Sequence, residues 1–136
     1  MSEMEMDLAA MSEFCKGTLP ELIGLRFTEA SRDRVVAELR YREALTTFGG
    51  SLHGGALMAL ADTVGAFATA LNLPAGASTT TLESKTNFFA AGRSGTVRAE
   101  STPLHRGRRT MVWQTRVTDE SGRLLSMTIQ TQMVLT

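Results

Sequence analysis

The sequence has few of the residues that mark a specialised class of protein. Its 136 residues include one cysteine and three prolines, and no apolar run approaches the ~18 residues of a membrane span. The lone Cys15 excludes an intramolecular disulfide and a cysteine-based zinc site, and it suits a reducing compartment. The scarcity of proline, with 43% hydrophobic residues, excludes a disordered or collagen-like chain.

The chain also has no net charge, because 14 basic residues balance 14 acidic ones. A neutral chain lacks the overall field of a nucleic-acid-binding protein, so no nucleic-acid partner is expected. Residues 1–11 are acidic, whereas a signal peptide begins with positive charge, so we expect a cytoplasmic protein without a membrane partner. The length predicts a single domain over residues 1–136, in which residues 1–23 form an N-terminal helical segment.

The charges that are present are distributed unevenly along the chain. Residues 1–25 carry five acids and one lysine, and residues 85–116 carry seven cations and one acid. Between Glu43 and Glu83 there is a single charged residue, Asp62. The central segment is therefore nearly uncharged, and Asp62 is the residue in it that requires an explanation.

Hydrophobic spacing predicts short helices first and a long helix in the middle of the chain. A short amphipathic helix is expected at residues 4–14, a second helical turn after Pro20, and strands at 25–30 and 34–41. Residues from the His53-Gly54-Gly55 motif to about residue 71 predict a long helix that is apolar all round. Such a helix is typically buried on every side.

Four further strands are predicted after Gly76. Their turns are typical of hairpins and favour an antiparallel meander at 78–89, 95–104, 109–119 and 123–135. The last strand alternates between apolar and polar residues. The predicted fold class is therefore α+β, with an antiparallel sheet of five to six strands wrapped around one long central helix.

Asp62 lies in the middle of that apolar helix, far in sequence from any cation. Burying an unpaired carboxylate costs several kcal/mol, so the residue must be paired, protonated or placed at a solvated cleft. One interpretation is a structural pair with an arginine, or a helix edge that reaches water. The other is a base or nucleophile kept out of bulk water.

The motif His53-Gly54-Gly55 stands at the start of the same helix. Its glycines permit close approach of a ligand, and the first-turn N–H groups can polarise a carbonyl oxygen as an oxyanion hole does. The alternative is that the glycines only allow tight packing. Asp62 lies eight residues beyond Gly54, about 12 Å along the axis, so one helix cannot bring both groups to one carbonyl. If both serve one reaction, the site needs two copies of the chain and the protein is a homodimer with two shared sites.

Two weaker features complete the candidate set. The turn that contains Arg106, Arg108 and Arg109 suits phosphate groups, although a solvated hairpin turn would look the same. The aromatic pair Phe88 and Phe89 offers a face to a ligand, although packing in the core is the more frequent use of such residues.

The segment HGGALMALAD at residues 53–62 resembles the hotdog-fold thioesterases, in the PaaI-like branch of the 4-hydroxybenzoyl-CoA thioesterase superfamily. The resemblance covers nearly the whole chain, with further matches at FGGSL (48–52), TNFF (86–89), HRGRRT (105–110) and DESGR (119–123). It implies a hotdog fold, a dimer or a dimer of dimers, and hydrolysis of acyl-CoA thioesters at the subunit interface.

The resemblance also implies roles for individual residues. Asp62 corresponds to the catalytic base or nucleophile, the Gly54 amide to the oxyanion donor, and Gly55 and His53 to groups that assist helix entry and positioning. Thr80 is the best match for a hydroxyl that orients the water, with Thr79 and Thr81 as competitors. Thr47 stands where the family often has Asn or Gln, a departure that favours weaker activity or a different substrate pose.

The predicted function is hydrolysis of a small aryl- or acyl-CoA, with phosphate contacts from the arginine-rich turn. No metal or other cofactor is expected, since coenzyme A enters as part of the substrate. The alternative is a hotdog protein that binds acyl-CoA or another ligand without catalysis, which Thr47 favours and Asp62 disfavours. A purely structural dimerisation domain explains neither the isolated acid nor the glycine pair.

Overall fold

The computed structural model describes residues 7–136. Both short helices predicted near the start are present, although residues 4–6 of the first prediction lie outside the described residues. The elements in chain order are α1 (Leu8–Phe14), α2 (Leu19–Ile23), β1 (Arg26–Ala30), β2 (Val35–Arg40), a 3-10 turn (Glu43–Leu45), α3 (Gly54–Ala70), β3 (Ser78–Phe88), β4 (Thr96–Arg106), β5 (Thr110–Thr118) and β6 (Leu124–Leu135).

The six strands form one antiparallel sheet in the order β1-β2-β4-β5-β6-β3. The α+β prediction is confirmed, but the four-strand meander is wrong for β3, which pairs with β6 instead of β4. The connection after β3 does not turn back as a hairpin. Phe89 N–H donates to the Leu125 carbonyl and Leu52 N–H to the Gly92 carbonyl, both at 2.8 Å, so this segment is bound to β6 and to the loop before α3.

Helix α3 begins where the His53 side chain caps it, with Nδ1 accepting a hydrogen bond from the Gly55 amide at 2.7 Å. It packs across β2 to β6 and buries the side chains that face the sheet. The expectation of burial on every side is wrong for the single chain, because Met58 and Gly55 are exposed on the opposite side. A sheet covers only one face of a helix, and among the helices of residues 7–136 the main contact with α3 comes from the short helix α2, which leaves part of the other face uncovered.

The core under α3 is strongly apolar on the side of β2 and β4. Fully buried side chains there include Val35, Leu39 and Val97, and they pack with Leu60 and Val64 of the helix. Each such side chain contributes about 1.5–3 kcal/mol through burial. This half of the sheet therefore supplies much of the stability that holds α3 in place.

Strand β6 confirms the predicted alternation and shows which set of side chains faces the helix. Its polar residues Ser126, Thr128, Gln130 and Gln132 are buried under α3. Three of its apolar residues lie on the outer face and are 38–41% exposed: Ile129, Met133 and Leu135. This is the reverse of the usual pattern, and it places a polar strip beneath the middle of α3. None of the helices within residues 7–136 has the length and hydropathy needed to cross a bilayer.

Candidate active site

Asp62 lies at the half-buried side of α3, above β3 and β6. Its Oδ1 accepts hydrogen bonds from Thr81 Oγ1 at 3.1 Å and from Gln130 Nε2 at 3.2 Å. None of the ion pairs formed among residues 7–136 includes Asp62. The structure therefore does not support the interpretation of Asp62 as the partner of an arginine, since the groups that hold it are neutral donors.

Two glutamines extend this contact into a buried network. Gln130 Nε2 also donates to Gln132 Oε1 at 2.9 Å, and Gln132 Nε2 donates to Thr79 Oγ1 at 3.1 Å. Sequence reasoning missed both glutamines as site residues. Their alternation along β6 was visible, but nothing in the sequence indicated that the polar set would face the helix.

The threonine that contacts Asp62 is Thr81, one of the competitors, and not Thr80. Successive side chains of a strand point to opposite faces, so Thr79 and Thr81 face α3 whereas Thr80 is exposed on the outer face. Within one protomer, the threonine hydroxyl beside Asp62 is therefore that of Thr81, and which of these hydroxyls orients the water stays a prediction. A register shift between Thr81 and Glu83 then leaves Leu82 unpaired and 55% exposed on this strand.

The start of α3 is arranged as the motif predicts. Because His53 Nδ1 accepts from the Gly55 amide, that amide is occupied. The Gly54 amide donates to no acceptor within residues 7–136. A Cβ added at Gly54 would lie 3.0 Å from Phe88 Cζ, so the absence of a side chain lets the aromatic ring pack against the helix start.

The loop before α3 is held in one shape by hydrogen bonds. The Thr47 amide donates to the Ser51 carbonyl at 2.8 Å, and the Tyr41 hydroxyl donates to the Gly50 carbonyl at 2.7 Å. Gly50 has a φ of 83°, a left-handed conformation that favours glycine. The loop thereby presents Phe48 completely exposed at its tip, close in sequence to the helix start.

The structure divides the predicted arginine cluster into two parts. Arg106 donates to Asp33 at 2.8 Å and to the Asn72 side chain at 3.3 Å, so it ties the β1–β2 turn to the segment after α3. Arg108 and Arg109 are exposed and form no ion pair within residues 7–136. Asn72 follows the end of a 17-residue helix, so Arg106 lies roughly 25 Å along the axis from Gly54 of its own chain.

The remaining candidate groups lie apart from Asp62. Phe89 is exposed beyond the end of β3, next to Phe88.

Burial, followed by the nearby charge of Glu21, raises the pKa of the Cys15 thiol, which therefore stays protonated near neutral pH and is a poor nucleophile. A surface depression lined by Arg93, Glu120 and neighbouring residues contains none of the predicted site residues. Within residues 7–136, no group of three or more His, Cys, Asp or Glu side chains could hold a metal ion.

Comparison with known proteins agrees with this architecture. Residues 49–126 match the Thioesterase superfamily. The 1,4-dihydroxy-2-naphthoyl-CoA hydrolase of Escherichia coli (strain K12) is 30% identical over 131 residues, which is 96% of both chains. Thioesterase HI1161 from Haemophilus influenzae superposes with a TM-score of 0.92 at 28% identity, covering 96% of this chain and 91% of that one.

A third protein supports the fold alone. The E. coli PaaI protein from the phenylacetic acid degradation operon superposes with a TM-score of 0.83, covers 93% of this chain and 91% of its own, and is 19% identical. The superfamily match covers more than half of the chain, and the relative and the structural neighbour extend over nearly all of it. The chain therefore belongs to the thioesterase superfamily and is a thioester hydrolase of the hotdog fold.

Proposed function

We propose that this protein hydrolyses acyl-CoA thioesters, with Asp62 as the catalytic carboxylate. The observation that carries the proposal is the Asp62 carboxylate itself, which neutral donors hold at Oδ1 while no cation within residues 7–136 pairs with it. A carboxylate with a counterion is stabilised as an ion, whereas one without remains available to accept a proton. The E. coli relative, which is named for a CoA thioester substrate, supports the choice of substrate class.

The proposed site is shared between two protomers. Gly54 and Asp62 are separated by about 12 Å along one helix, so the oxyanion donor and the carboxylate of one site come from different chains. Strand β3 supports this assembly, because it is an 11-residue edge strand whose one sheet neighbour is β6. An unpaired edge of that length, with Leu82 exposed on it, is suited to pairing with a second copy.

The reaction begins when the Gly54 N–H donates to the thioester carbonyl oxygen. The positive end of the α3 dipole strengthens this donor as negative charge develops on the oxygen. In the general-base route, Asp62 takes a proton from water while the water oxygen bonds to the carbonyl carbon. The carbon–sulfur bond then breaks, the thiolate of coenzyme A leaves and is protonated, and the acid is released as a carboxylate.

The nucleophile route remains a second form of the same function. In it, an Asp62 oxygen attacks the carbonyl carbon, coenzyme A leaves, and water hydrolyses the resulting anhydride. A single turnover in water enriched in oxygen-18 identifies the nucleophile route if label appears in the Asp62 side chain, whereas label in the product acid alone fits both routes, because attack of water on the acyl carbon of the anhydride also places it there. The label enters the Asp62 side chain only if water attacks the aspartyl carbon of the anhydride, and it enters only the product acid in the general-base route.

Binding of the substrate is assigned to exposed groups around the site. Phe88, which packs against Gly54, and Phe89 beyond it offer aromatic surface to the acyl or pantetheine part. Arg108 and Arg109 are available for the phosphates of coenzyme A, whereas Arg106 is held by Asp33 and Asn72. The proposed reaction uses water and the CoA ester and calls for no additional cofactor.

The deciding assay measures thiol release from a panel of aryl-, phenylacetyl-, medium-chain and hydroxyacyl-CoA esters. We expect Asp62→Asn and Asp62→Ala to reduce kcat by about 10²- to 10⁴-fold, the usual contribution of a positioned base. Glu83→Gln on the exposed side of β3 is the matched control, since it also removes one carboxylate and should retain activity. Full turnover by both Asp62 variants would remove Asp62 from the mechanism. Tight binding of the esters without thiol release by the wild-type protein would identify a binding module instead.

A further inference from the structure

Gln130 is a fully buried polar side chain in the middle of β6. Its Nε2 lies within hydrogen-bond distance of Asp62 Oδ1 at 3.2 Å, the Asp62 carbonyl at 3.3 Å and Gln132 Oε1 at 2.9 Å. Its Oε1 has no partner among the described residues. Burying a carboxamide with an unsatisfied oxygen costs free energy, so this residue is a poor choice for stability alone.

Gly65 makes the position of Gln130 possible. It lies three residues after Asp62 on the buried side of α3, and a Cβ added there would collide with the Gln130 carboxamide. Glycine in the interior of a helix costs about 1 kcal/mol relative to alanine. Gln130 on β6 and Gly65 on α3 are each unfavourable for stability by themselves. Together they place one N–H donor beside Asp62.

We propose that Gln130 is a positioning residue for Asp62, holding Oδ1 of the carboxylate so that Oδ2 is the oxygen presented to the reacting water or carbonyl carbon. Within residues 7–136, Oδ2 makes no hydrogen bond, whereas Oδ1 has two donors. This inference rests on the proposed function, because it assigns a role in the same reaction. Gln130 lies on β6, outside the motif of α3, and contributes to the orientation of the Asp62 carboxylate.

Thr81 completes the arrangement because its hydroxyl has one proton and two acceptors within reach. The acceptors are Asp62 Oδ1 at 3.1 Å and Gln132 Oε1 at 2.6 Å. While Asp62 is ionised, Thr81 can donate to it. After Oδ2 has taken a proton, Oδ1 is still an acceptor, so Thr81 can keep donating to it or donate to Gln132 instead. The network thus accommodates both protonation states that the base must adopt.

The test is Gln130→Met, which keeps the length of the side chain and removes the donor. Losing a hydrogen bond to a charged group should lower kcat by about 10- to 100-fold. KM should stay within about twofold of the wild-type value, because Gln130 is fully buried and has no assigned role in substrate binding.

The matched control is Ser126→Ala, a change on the same buried face of β6 that does not reach Asp62. Ser126 is fully buried and its hydroxyl has no partner among the described residues, so the wild-type kcat and KM should be retained. Gly65→Ala is the second variant, in case Gln130→Met does not fold. It should displace the Gln130 carboxamide and lower kcat while KM stays within about twofold of the wild-type value, as for Gln130→Met.

The outcomes separate this inference from the proposed function. If wild type is active, Asp62→Asn is inactive, and Gln130→Met or Gly65→Ala keeps the wild-type kcat, the positioning role is wrong and the proposed function stands. A Gln130→Met protein that loses only thermal stability overturns the positioning role in the same way. If Asp62→Asn turns over normally, the proposed catalytic carboxylate fails first.

Discussion

The two halves of the sheet beneath α3 differ in character although the same helix covers both. On the side of β2 and β4, the buried side chains are aliphatic, as at Val35, Leu39 and Val97. On the side of β6 and β3, the inward side chains include several amides and hydroxyls, of which Thr81 and Gln130 contact Asp62. We call the first the apolar half, β2 and β4, and the second the polar half, β6 and β3.

The difference indicates that one half of the sheet mainly stabilises α3, whereas the adjacent half contacts the candidate catalytic residue on the same helix. The apolar half gains free energy through burial, so it can hold α3 rigidly. The polar half contributes little free energy to folding, since the hydrogen bonds of buried polar groups do little more than offset the desolvation of those groups. It supplies donors to a carboxylate that must remain reactive. Rigid support beside a network of hydrogen bonds is what a positioned catalytic group requires.

The largest expected effect is on the stability of the apolar half. Leu39→Ala should lower the free energy of unfolding by about 2–5 kcal/mol, because it removes a fully buried side chain and leaves a cavity. Chemical denaturation measures this, and kcat per folded site should be retained. A loss of activity without a loss of stability would contradict the assignment of this half to support.

The next effect is on catalysis in the polar half, where two adjacent threonines form a matched pair. Thr81→Val should reduce kcat about tenfold, since it removes a donor to the Asp62 carboxylate. Thr80→Val, on the exposed face of the same strand, should leave kcat unchanged. Steady-state kinetics on one acyl-CoA decides between them. Equal effects of the two changes would return Thr80 to the site.

A smaller effect distinguishes arginines that stabilise from arginines that bind. Arg106→Ala should cost about 1 kcal/mol of stability, because it removes an exposed ion pair and the link to Asn72. Arg108→Ala should leave stability unchanged and raise KM for acyl-CoA. The KM for a thioester of N-acetylcysteamine, which has no phosphates, should not change. A rise in KM for both thioesters would exclude phosphate recognition by Arg108.

The smallest effect concerns a polar group within the apolar half. Ser101 on β4 is fully buried and its hydroxyl has no partner among the described residues. Ser101→Ala should change stability by no more than about 0.5 kcal/mol, in either direction, and leave kcat untouched. Thermal unfolding and the thiol-release assay check both expectations. A marked loss of activity would extend the catalytic network beyond the polar half.

Much of the local structure could be predicted from the sequence. The limits of α3 follow from its helical composition, from His53 and the glycines at its start, and from the stop signal after residue 71. Asp62 stood out because it is the one charge in a long uncharged segment, and its surroundings contain no paired cation among the described residues. Features that depend on neighbours along the chain can be recognised in this way.

Other parts could not be predicted because they depend on long-range pairing. The hairpin pattern gave no sign that β3 would skip β4 and pair with β6. The pairing of β3 with β6 places Thr81 opposite Gln132, on the face of the sheet that lies under α3. Shifting a strand by one residue exchanges its two faces, so Thr80 and Thr81 could not be separated from their sequence positions.

The sequence by itself determined that an acidic side chain would lie on an apolar helix with a glycine pair at its start, because helical spacing and capping are local properties. The tertiary structure alone decided which side chains meet that acid. Gln130 comes from a strand far along the chain, and it reaches Asp62 because the sheet order and the absence of a side chain at Gly65 leave room for it. Contacts of that kind depend on register and packing, which no local pattern encodes.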